Sequence, residues 1–461
     1  MSDAAAASRK SLPTHALRGV LLVGFGSLLF WITRAAPEMH GGMWTIAAIG
    51  FLLLAGTLTS ELAAPLGLPH LTGYLLAGIA SGPHVLRLVD DPTVRSLSPI
   101  NTLALSLIAL AGGAELDLAA VRKGARSLAW ATLVQSVFVL VAVSAVFLAI
   151  RPLIPFARAL GPATLLGVAL LWGALAVTRS PSATLGILSQ TRAVGPLATY
   201  TLAFVMASDV VVVVLLATVL AIVRPLIDPS SHFALSSFVT LGQELFGSVA
   251  LGTTLGLVIA AYLKLVNRSM LVVLLVLGFG VSTVLDYLQF DSLLTFMVAG
   301  FIVRNMSKQG DKFIRYIEQT GTVVYVIFFA TAGADLDVPL LRGLWPVALT
   351  LAASRTLITW IGSRLSARLA RDAPVLRRWA WSGLVSQAGL ALGLSVIVAR
   401  EFPSFGVPFR ALAIATVAIN EMVGPVLFKL ALDRTGETSG VQPRGFPPIP
   451  ASANEPGGEL S

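Results

Sequence analysis

The sequence predicts an all-α, polytopic membrane protein with inverted repeats and two broken helices. Three observations support this. Of its 461 residues, 56% are hydrophobic and only 12% are charged, whereas soluble domains carry about 25% charged residues. Apolar runs close to the roughly 20 residues of a spanning helix recur along the chain. Polar residues interrupt two of these runs near their middle, and one sequence pattern occurs twice.

The apolar runs predict about 13 to 14 transmembrane helices, and our segmentation gives fourteen. They lie near residues 17–35, 43–63, 70–83, 99–116, 125–150, 163–190, 196–223, 236–263, 269–286, 290–304, 313–334, 341–363, 377–399 and 408–430. An even number of spans places both ends of the chain on the same side of the membrane.

The basic residues in the loops predict the orientation. Twenty-one Lys and Arg residues lie on the side of the two ends, and nine lie on the opposite side. Because positive loops stay inside, both ends are predicted to be cytoplasmic, in the plasma membrane, which is the inner membrane of a bacterium. Residues 1–40 are expected to hold an extra anchor helix, because Arg18 and Arg34 flank its apolar run and no signal-peptide cleavage pattern follows. Residues 432–461 are rich in Pro, Gly and Ser, so we expect a disordered cytoplasmic tail.

Several classes are disfavoured. The chain has no cysteine, so neither disulfides nor thiolate metal sites are expected. It has no GxGxxG, P-loop or HExxH motif, so we expect no cofactor, no nucleotide-binding domain and no enzymatic activity. The surplus of 32 basic over 23 acidic residues belongs to membrane loops, and no nucleic-acid partner is expected.

One pattern occurs twice. "AGGAELDLAAVRKG" (111–124) ends the fourth span and "TAGADLDVPLLRG" (331–343) ends the eleventh. Units offset by seven spans, an odd number, must lie in opposite orientations, as in inverted-repeat transporters. The alternative is that both are merely similar loop ends.

The sixth span contains the first predicted break. Its 28 residues would form a helix of about 42 Å, too long for a hydrocarbon core of about 30 Å. Thr178, Arg179, Ser180 and Pro181 interrupt it. Proline removes a backbone donor, so carbonyls and amides become available at mid-depth. An ordinary kink is the alternative.

The thirteenth span, seven spans later, contains the second predicted break. It reads "GLVSQAGLALGL", with Ser386, Gln387 and Gly389 at mid-segment. Here a continuous helix is the alternative, because Gln-Ala-Gly does not by itself end one.

Charged residues within spans are candidates for a functional site, because an ionisable group in a bilayer needs a partner or a role. Asp209 lies in the long apolar run "FVMASDVVVVVLLATVLA". Arg355 and Glu421 lie inside the twelfth and fourteenth spans, so an ion pair between them is a reasonable expectation. Arg179, at the first break, is interpreted as structural or gating.

These segments together resemble the membrane domain of Kef-type cation:proton antiporters in the sodium/hydrogen exchanger superfamily. The resemblance runs from about Met43 to Leu430 and rests on "LGLPHLTGYLLAGIASGP", "GAELDL", "TRSPSATLGILSQTRAVGPL", "ASDVVVVVLLA", "FFATAGADLDV" and "LVSQAGLALGL". It implies the sodium/hydrogen exchanger fold of thirteen helices, here preceded by one more, and a homodimer in the lipid bilayer. The antiporter domain, residues 41–431, would comprise a scaffold (43–118 and 269–334), a moving core (125–223 and 341–430) and a linker helix (236–263).

The resemblance also implies roles for particular residues. Asp209 matches the ion-binding aspartate. Beside it, we expect Ser208, Thr178 and Ser180 to be further ion or proton ligands. Ser208 departs from the family, which usually has Asp, Asn or Gln before this aspartate. Arg355 matches the basic residue of the core.

The predicted function is therefore secondary-active exchange of Na⁺ or K⁺ for protons by alternating access. With Asp209 as the one ionising carrier, exchange is expected to be electroneutral. The alternatives are a sodium-coupled organic-anion symporter on a related fold, a cation channel, or a transport-inactive sensor or scaffold.

Overall fold

The computed structural model describes residues 42–227, 235–266, 270–288, 290–307, 310–336, 338–387 and 389–438, and isolated helical residues between 20 and 27. The predicted anchor helix at 17–35 and the tail beyond residue 438 thus lie largely outside the described residues.

The described residues form helices joined by turns and short loops. In chain order the α-helices are α1 (Gly42–Ala63), α2 (His70–Ser81), α3 (Asp91–Ser96), α4 (Ser98–Glu115), α5 (Leu118–Lys123), α6 (Ala125–Ala149), α7 (Pro162–Val177), α8 (Pro181–Thr191), α9 (Pro196–Ile227), α10 (Leu235–Leu265), α11 (Met270–Val276), α12 (Ser282–Leu288), α13 (Ser292–Met306), α14 (Gly310–Ala334), α15 (Val338–Leu369), α16 (Pro374–Trp379), α17 (Gly389–Glu401) and α18 (Gly406–Thr435). A π-helical turn, Leu277–Val281, joins α11 to α12.

Six of the described segments are long and apolar enough to cross a membrane, judged by length and composition. They are Trp44–Leu66, Ala125–Ala149, Pro162–Thr191, Gly242–Leu265, Gly343–Leu369 and Gly406–Thr435. Five shorter apolar segments, Pro196–Ser208, Val214–Ile227, Val272–Leu285, Ser292–Met306 and Val323–Ala334, overlap four further predicted spans. The chain is a multi-pass, all-α membrane protein, as predicted.

The chain divides into two compact units. The first comprises Met1–Leu105 and Gln319–Pro339, and the second comprises Ser106–Glu318 and Leu340–Ser461. Every candidate site residue named above falls in the second unit. Its apolar core is built from α6, α7, α9, α15, α17 and α18, with Trp172 packed against Phe147 and Phe409.

Each unit contains a pair of helices that cross closely at glycines. In the first unit, a Cβ at Gly78 of α2 would collide with the backbone of Ala330 in α14, and one at Gly333 would collide with Leu75. In the second unit, a Cβ at Gly300 of α13 would collide with the backbone of Leu110 in α4, and one at Gly113 would collide with Met297. Each pair of helices therefore approaches so closely that only glycine fits at the crossing.

The chain stays ordered beyond the predicted start of the tail. Helix α18 continues to Thr435, and Gly436 then adopts a left-handed conformation with φ 75° that turns the chain back. Residues 432–438 are therefore helix and turn, which corrects the boundary predicted at residue 432.

Candidate functional site

The first break is present. Helix α7 ends at Val177 and α8 begins at Pro181, and the residues between them are extended. Ser180 is the N-cap of α8, since its Oγ accepts a hydrogen bond from the Ala183 amide at 3.2 Å. Pro181 occupies the first helical position, where the missing N–H costs nothing. The sequence thus ends one helix and starts another inside the protein.

The second break is also present. A 3₁₀ segment, Ala380–Leu384, follows α16, and residues 385–387 have no helical hydrogen bonding before α17 begins at Gly389. Helix α18 passes close to this break, because a Cβ at Gly424 would overlap Ser386. Gln387 is fully buried. The expectation of a break was correct, and a continuous helix is excluded.

Arg355 joins the two breaks. Its Nε donates to the Ala176 carbonyl at 2.8 Å, and its Nη2 donates to the Thr178 carbonyl at 2.8 Å. Its Nη1 and Nη2 also donate to the carbonyls of Val385 and Leu384, at 2.6 Å and 3.3 Å. The last carbonyls of a helix lack intrahelical partners and carry partial negative charge. One buried guanidinium therefore supplies donors and positive charge to two interrupted segments.

Gln387 makes a second connection between the breaks. Its Nε2 donates to the Leu175 carbonyl at 2.8 Å and to the Thr178 hydroxyl at 2.9 Å. The Asn420 amide of α18 donates to the Gln387 Oε1 at 2.7 Å. Thr178 itself donates to the Leu175 carbonyl at 2.8 Å. The segments before and after each break are thus held in one buried hydrogen-bond network.

Helix α9 carries the candidate ion ligand and packs against both broken segments. Close to the second break, a Cβ at Gly383 would overlap Thr201 of α9. Ser208 lies two turns further along, is buried, and donates to the Val205 carbonyl at 2.9 Å. Asp209 follows it within α9, and its side chain lies outside the described part of the structure. The hydroxyl of Ser208 therefore retains its acceptor lone pairs.

Arg179 points away from this network. Its Nη1 donates to the Val177 carbonyl at 2.8 Å and its Nη2 donates to Gln135 of α6 at 3.2 Å. The guanidinium carbon lies 4.7 Å from the centre of the Phe204 ring on α9. Gln135 in turn donates to the Thr359 carbonyl of α15 at 3.1 Å. Arg179 thus braces the first break against three helices.

Glu421 and Arg355 do not form the expected ion pair. All four hydrogen bonds that Arg355 makes go to backbone carbonyls. Glu421 is buried, and within the described part of the structure its Oε2 has no hydrogen-bond partner. The carbonyls at the breaks compete better for the guanidinium, because they are fixed and would otherwise be unpaired.

The start of α9 is capped from the far end of the chain. The carboxylate of Glu437 accepts hydrogen bonds from the amides of Leu197 and Ala198, at 2.9 Å and 2.8 Å. Glu437 is 5% exposed. A Cβ at Gly195 would overlap the Glu437 side chain, so glycine makes room for the carboxylate. A negative group at a helix N-terminus is favourable.

Three residues of these contacts were missed by the sequence analysis: Gln135, Asn420 and Glu437. The first two are polar residues within predicted spans, and that pattern was a usable signal. Glu437 lies in a Pro- and Gly-rich segment, and no local pattern indicates that it reaches α9.

Similar solved structures support the fold. A structure of the sodium proton antiporter MjNhaP1 from Methanocaldococcus jannaschii at pH 8 matches with a TM-score of 0.63 at 16% identity, covering 86% of this chain and 97% of that chain. An electron microscopy structure of the same antiporter matches with a TM-score of 0.69 at 17% identity, covering 86% and 99%. At this identity the likeness concerns the fold alone. No curated protein sequence matches significantly.

A multi-pass helical protein with two interrupted helices tied together at a buried polar network has the architecture of a secondary transporter. The chain belongs to the sodium/hydrogen exchanger family, whose transmembrane model matches residues 16–431. The chain is therefore a cation:proton antiporter by family and not an enzyme.

Proposed function

We propose that this protein exchanges Na⁺ or K⁺ for protons at Asp209 by alternating access, and that it belongs to the Kef-type branch of its family. The observation that carries the proposal is the pair of helix breaks beside α9, which side-chain hydrogen bonds join to each other. Broken helices place backbone dipoles within the membrane, and α9, which carries Asp209, packs against both broken segments.

The chemistry at Asp209 explains coupling. A carboxylate in a medium of low dielectric constant is stabilised either by a proton or by a cation. The two ligands compete for one site. If that site opens to one side of the membrane at a time, binding a cation on one side requires release of the proton that it replaces.

Ser208, Thr178 and Ser180 are proposed as oxygen ligands or as supports of that site. The hydroxyls of Thr178 and Ser180 already hold the first break. Their contribution to an ion would come through remaining lone pairs, since a hydroxyl oxygen accepts two hydrogen bonds or metal contacts.

The recurrent glycine contact supports an inverted repeat. "AG" at 77–78 in α2 matches "AG" at 299–300 in α13, and Gly113 matches Gly333 in the repeated acidic pattern. The glycine and its backbone partner correspond in both units. Gly78 lies against the backbone of Ala330, and Gly300 lies against the backbone of Leu110. We propose that α1 to α9 and α11 to α18 are two inverted halves.

The remaining assignments are proposals of the same kind. The scaffold (43–118 and 269–334) would hold a homodimer together, while the core (125–223 and 341–430) moves and α10 links them. Both ends would be cytoplasmic, in the plasma membrane of the cell.

The test uses purified protein in liposomes with a pH-sensitive dye trapped inside. Each alkali cation is added outside in turn, and wild type is expected to exchange protons for Na⁺, K⁺ or both. Asp209→Asn should abolish this flux, because an amide holds neither a proton nor a compensating charge, while Asp209→Glu keeps the carboxylate as a matched control. Proton flux driven by a cation in Asp209→Asn at the wild-type rate would refute the role of Asp209.

Stoichiometry is tested in the same vesicles. One carboxylate carrying one proton or one cation gives electroneutral exchange, so the rate should not change when the membrane potential is clamped at different values. Each net charge moved would otherwise add about 2.3 kcal/mol per 100 mV. A strong dependence on potential would indicate a second carrier, and Glu421 is the first candidate.

A further inference from the structure

The last turns of α15 carry two adjacent stripes of side chains. Trp360, Arg364 and Arg368 are spaced four residues apart and share one face of the helix. The guanidinium carbon of Arg364 lies 4.2 Å from the centre of the Trp360 ring. The neighbouring stripe is apolar and outward: Leu357, Ile361 and Leu365 are 56%, 40% and 41% exposed. A cationic stripe thus runs beside an apolar stripe at the end of a membrane-spanning helix.

Arg364 lies deeper than the helix end. It precedes Leu369, the last residue of α15, by five residues, which is about 8 Å along the axis. Its Nε is buried and has no hydrogen-bond acceptor within the described part of the chain. Stacking on Trp360 fixes the plane of the guanidinium, so its donor directions are set before any ligand binds.

More positive charge surrounds the stripes. Ser127 at the start of α6 donates to Asp372 at 2.9 Å, which brings α6 to the loop after α15. Asp372 is the one acidic residue in the segments 118–134 and 357–384. Further basic residues of these segments are exposed: Arg122, Lys123, Arg126, Arg371, Arg377 and Arg378. Arg378 lies over Trp379, with its guanidinium carbon 5.2 Å from the ring centre.

We propose that this surface of α15 binds an anionic phospholipid. The guanidinium groups of Arg364 and Arg368 would hold the phosphate, and one acyl chain would lie along Leu357, Ile361 and Leu365. Guanidinium forks match phosphate oxygens in geometry, and basic clusters beside spanning helices attract anionic lipids. Topology alone requires positive charge near the ends of spans; it does not require an arginine to stack on tryptophan beside an exposed apolar stripe.

A free phosphate fits the stripes less well. It would use the guanidinium groups but would leave the exposed apolar stripe without a role. The phosphodiester of a lipid engages both, because its headgroup and its acyl chain lie at adjacent depths. This proposal does not depend on the proposed ion exchange.

The experiment uses the full chain, purified in detergent and delipidated. It is titrated with phosphatidylglycerol, or with phosphatidylcholine carrying the same acyl chains, and bound lipid is counted by native mass spectrometry. Thermal melting is measured in parallel. Phosphatidylglycerol should bind and raise the melting temperature, whereas phosphatidylcholine and sodium phosphate at the same concentration should do neither.

Arg364→Gln with Arg368→Gln tests the stripe. Each basic residue near an anionic surface contributes about 1 kcal/mol, so affinity for phosphatidylglycerol should fall about 30-fold. Arg400→Gln with Arg410→Gln is the matched control, because it removes two exposed arginines of the same unit from the predicted opposite side. If the double variant does not fold, Arg368→Glu alone changes an exposed residue and should still weaken binding.

Three results would overturn the proposal. The first is that the folded variants with Arg364 and Arg368 replaced bind phosphatidylglycerol as tightly as wild type does. The second is equal binding of phosphatidylcholine, and the third is a melting shift of the same size with sodium phosphate alone.

Discussion

Replacing Arg355 tests whether one guanidinium holds the two breaks together. Arg355→Met keeps much of the volume but removes every donor, and four buried carbonyls then lose a hydrogen bond. At about 1 kcal/mol for each, the low end for an unsatisfied buried group, the loss is about 4 kcal/mol. That agrees with the 3 to 5 kcal/mol typical when one side of a buried charge arrangement is removed.

Lysine provides a graded comparison. Arg355→Lys keeps the charge but offers three donors from one point, so it cannot reach carbonyls on both breaks in the fork geometry of arginine. We therefore expect thermal stability in detergent to fall in the order wild type, Arg355→Lys, Arg355→Met. For a chain of this length, the last change should lower the melting temperature by about 4 °C.

Arg410→Met is the control, since Arg410 is exposed at the start of α18 and surface changes cost at most about 0.5 kcal/mol. If Arg355→Met melted within about one degree of this control, the breaks would not depend on Arg355. A variant that melts like wild type but does not transport would instead place Arg355 in the ion cycle.

Three more predictions follow from buried acids. Glu437→Gln should lower the free energy of unfolding by about 1–2 kcal/mol, because the single oxygen of a Gln side chain cannot accept from both backbone N–H groups at the start of α9. Asp433→Asn, which changes an exposed acid on the same helix end, is the control. Equal melting temperatures of the two variants would refute the cap. Since Arg355 and Glu421 form no pair, Arg355→Met and Glu421→Gln should lose stability additively, within about 0.5 kcal/mol; a larger coupling energy would contradict the structure. Burial raises the pKa of Asp372 above its usual value, so folding takes up a proton there and the free energy of unfolding falls as pH rises through the folded pKa. Asp372→Asn should flatten that part of the stability curve, measured as melting temperature against pH, and an unchanged curve would argue against this titration.

The sequence could predict the spans and the breaks because both depend on local chemistry. Apolar length defines a span, and Ser180 with Pro181 stops one helix and starts another. It could not predict the partner of Arg355, because that side chain binds backbone carbonyls, and every residue has one whatever its side chain. Side-chain charge suggested Glu421, while the deciding acceptors were backbone atoms 30 and 179 residues away.

The glycine contacts show how much more a chain can reveal once helix partners are known. Gly78 and Gly300 each follow an alanine in an apolar helix, which is too weak a match to propose from sequence alone. The structure places each against a backbone carbonyl of the helix that carries the repeated acidic pattern, at Ala330 and Leu110. A match in sequence and a match in contact are independent observations, since a shared loop ending requires no shared helix partner. Their agreement therefore favours duplication of a whole helical unit over chance similarity of two loop ends.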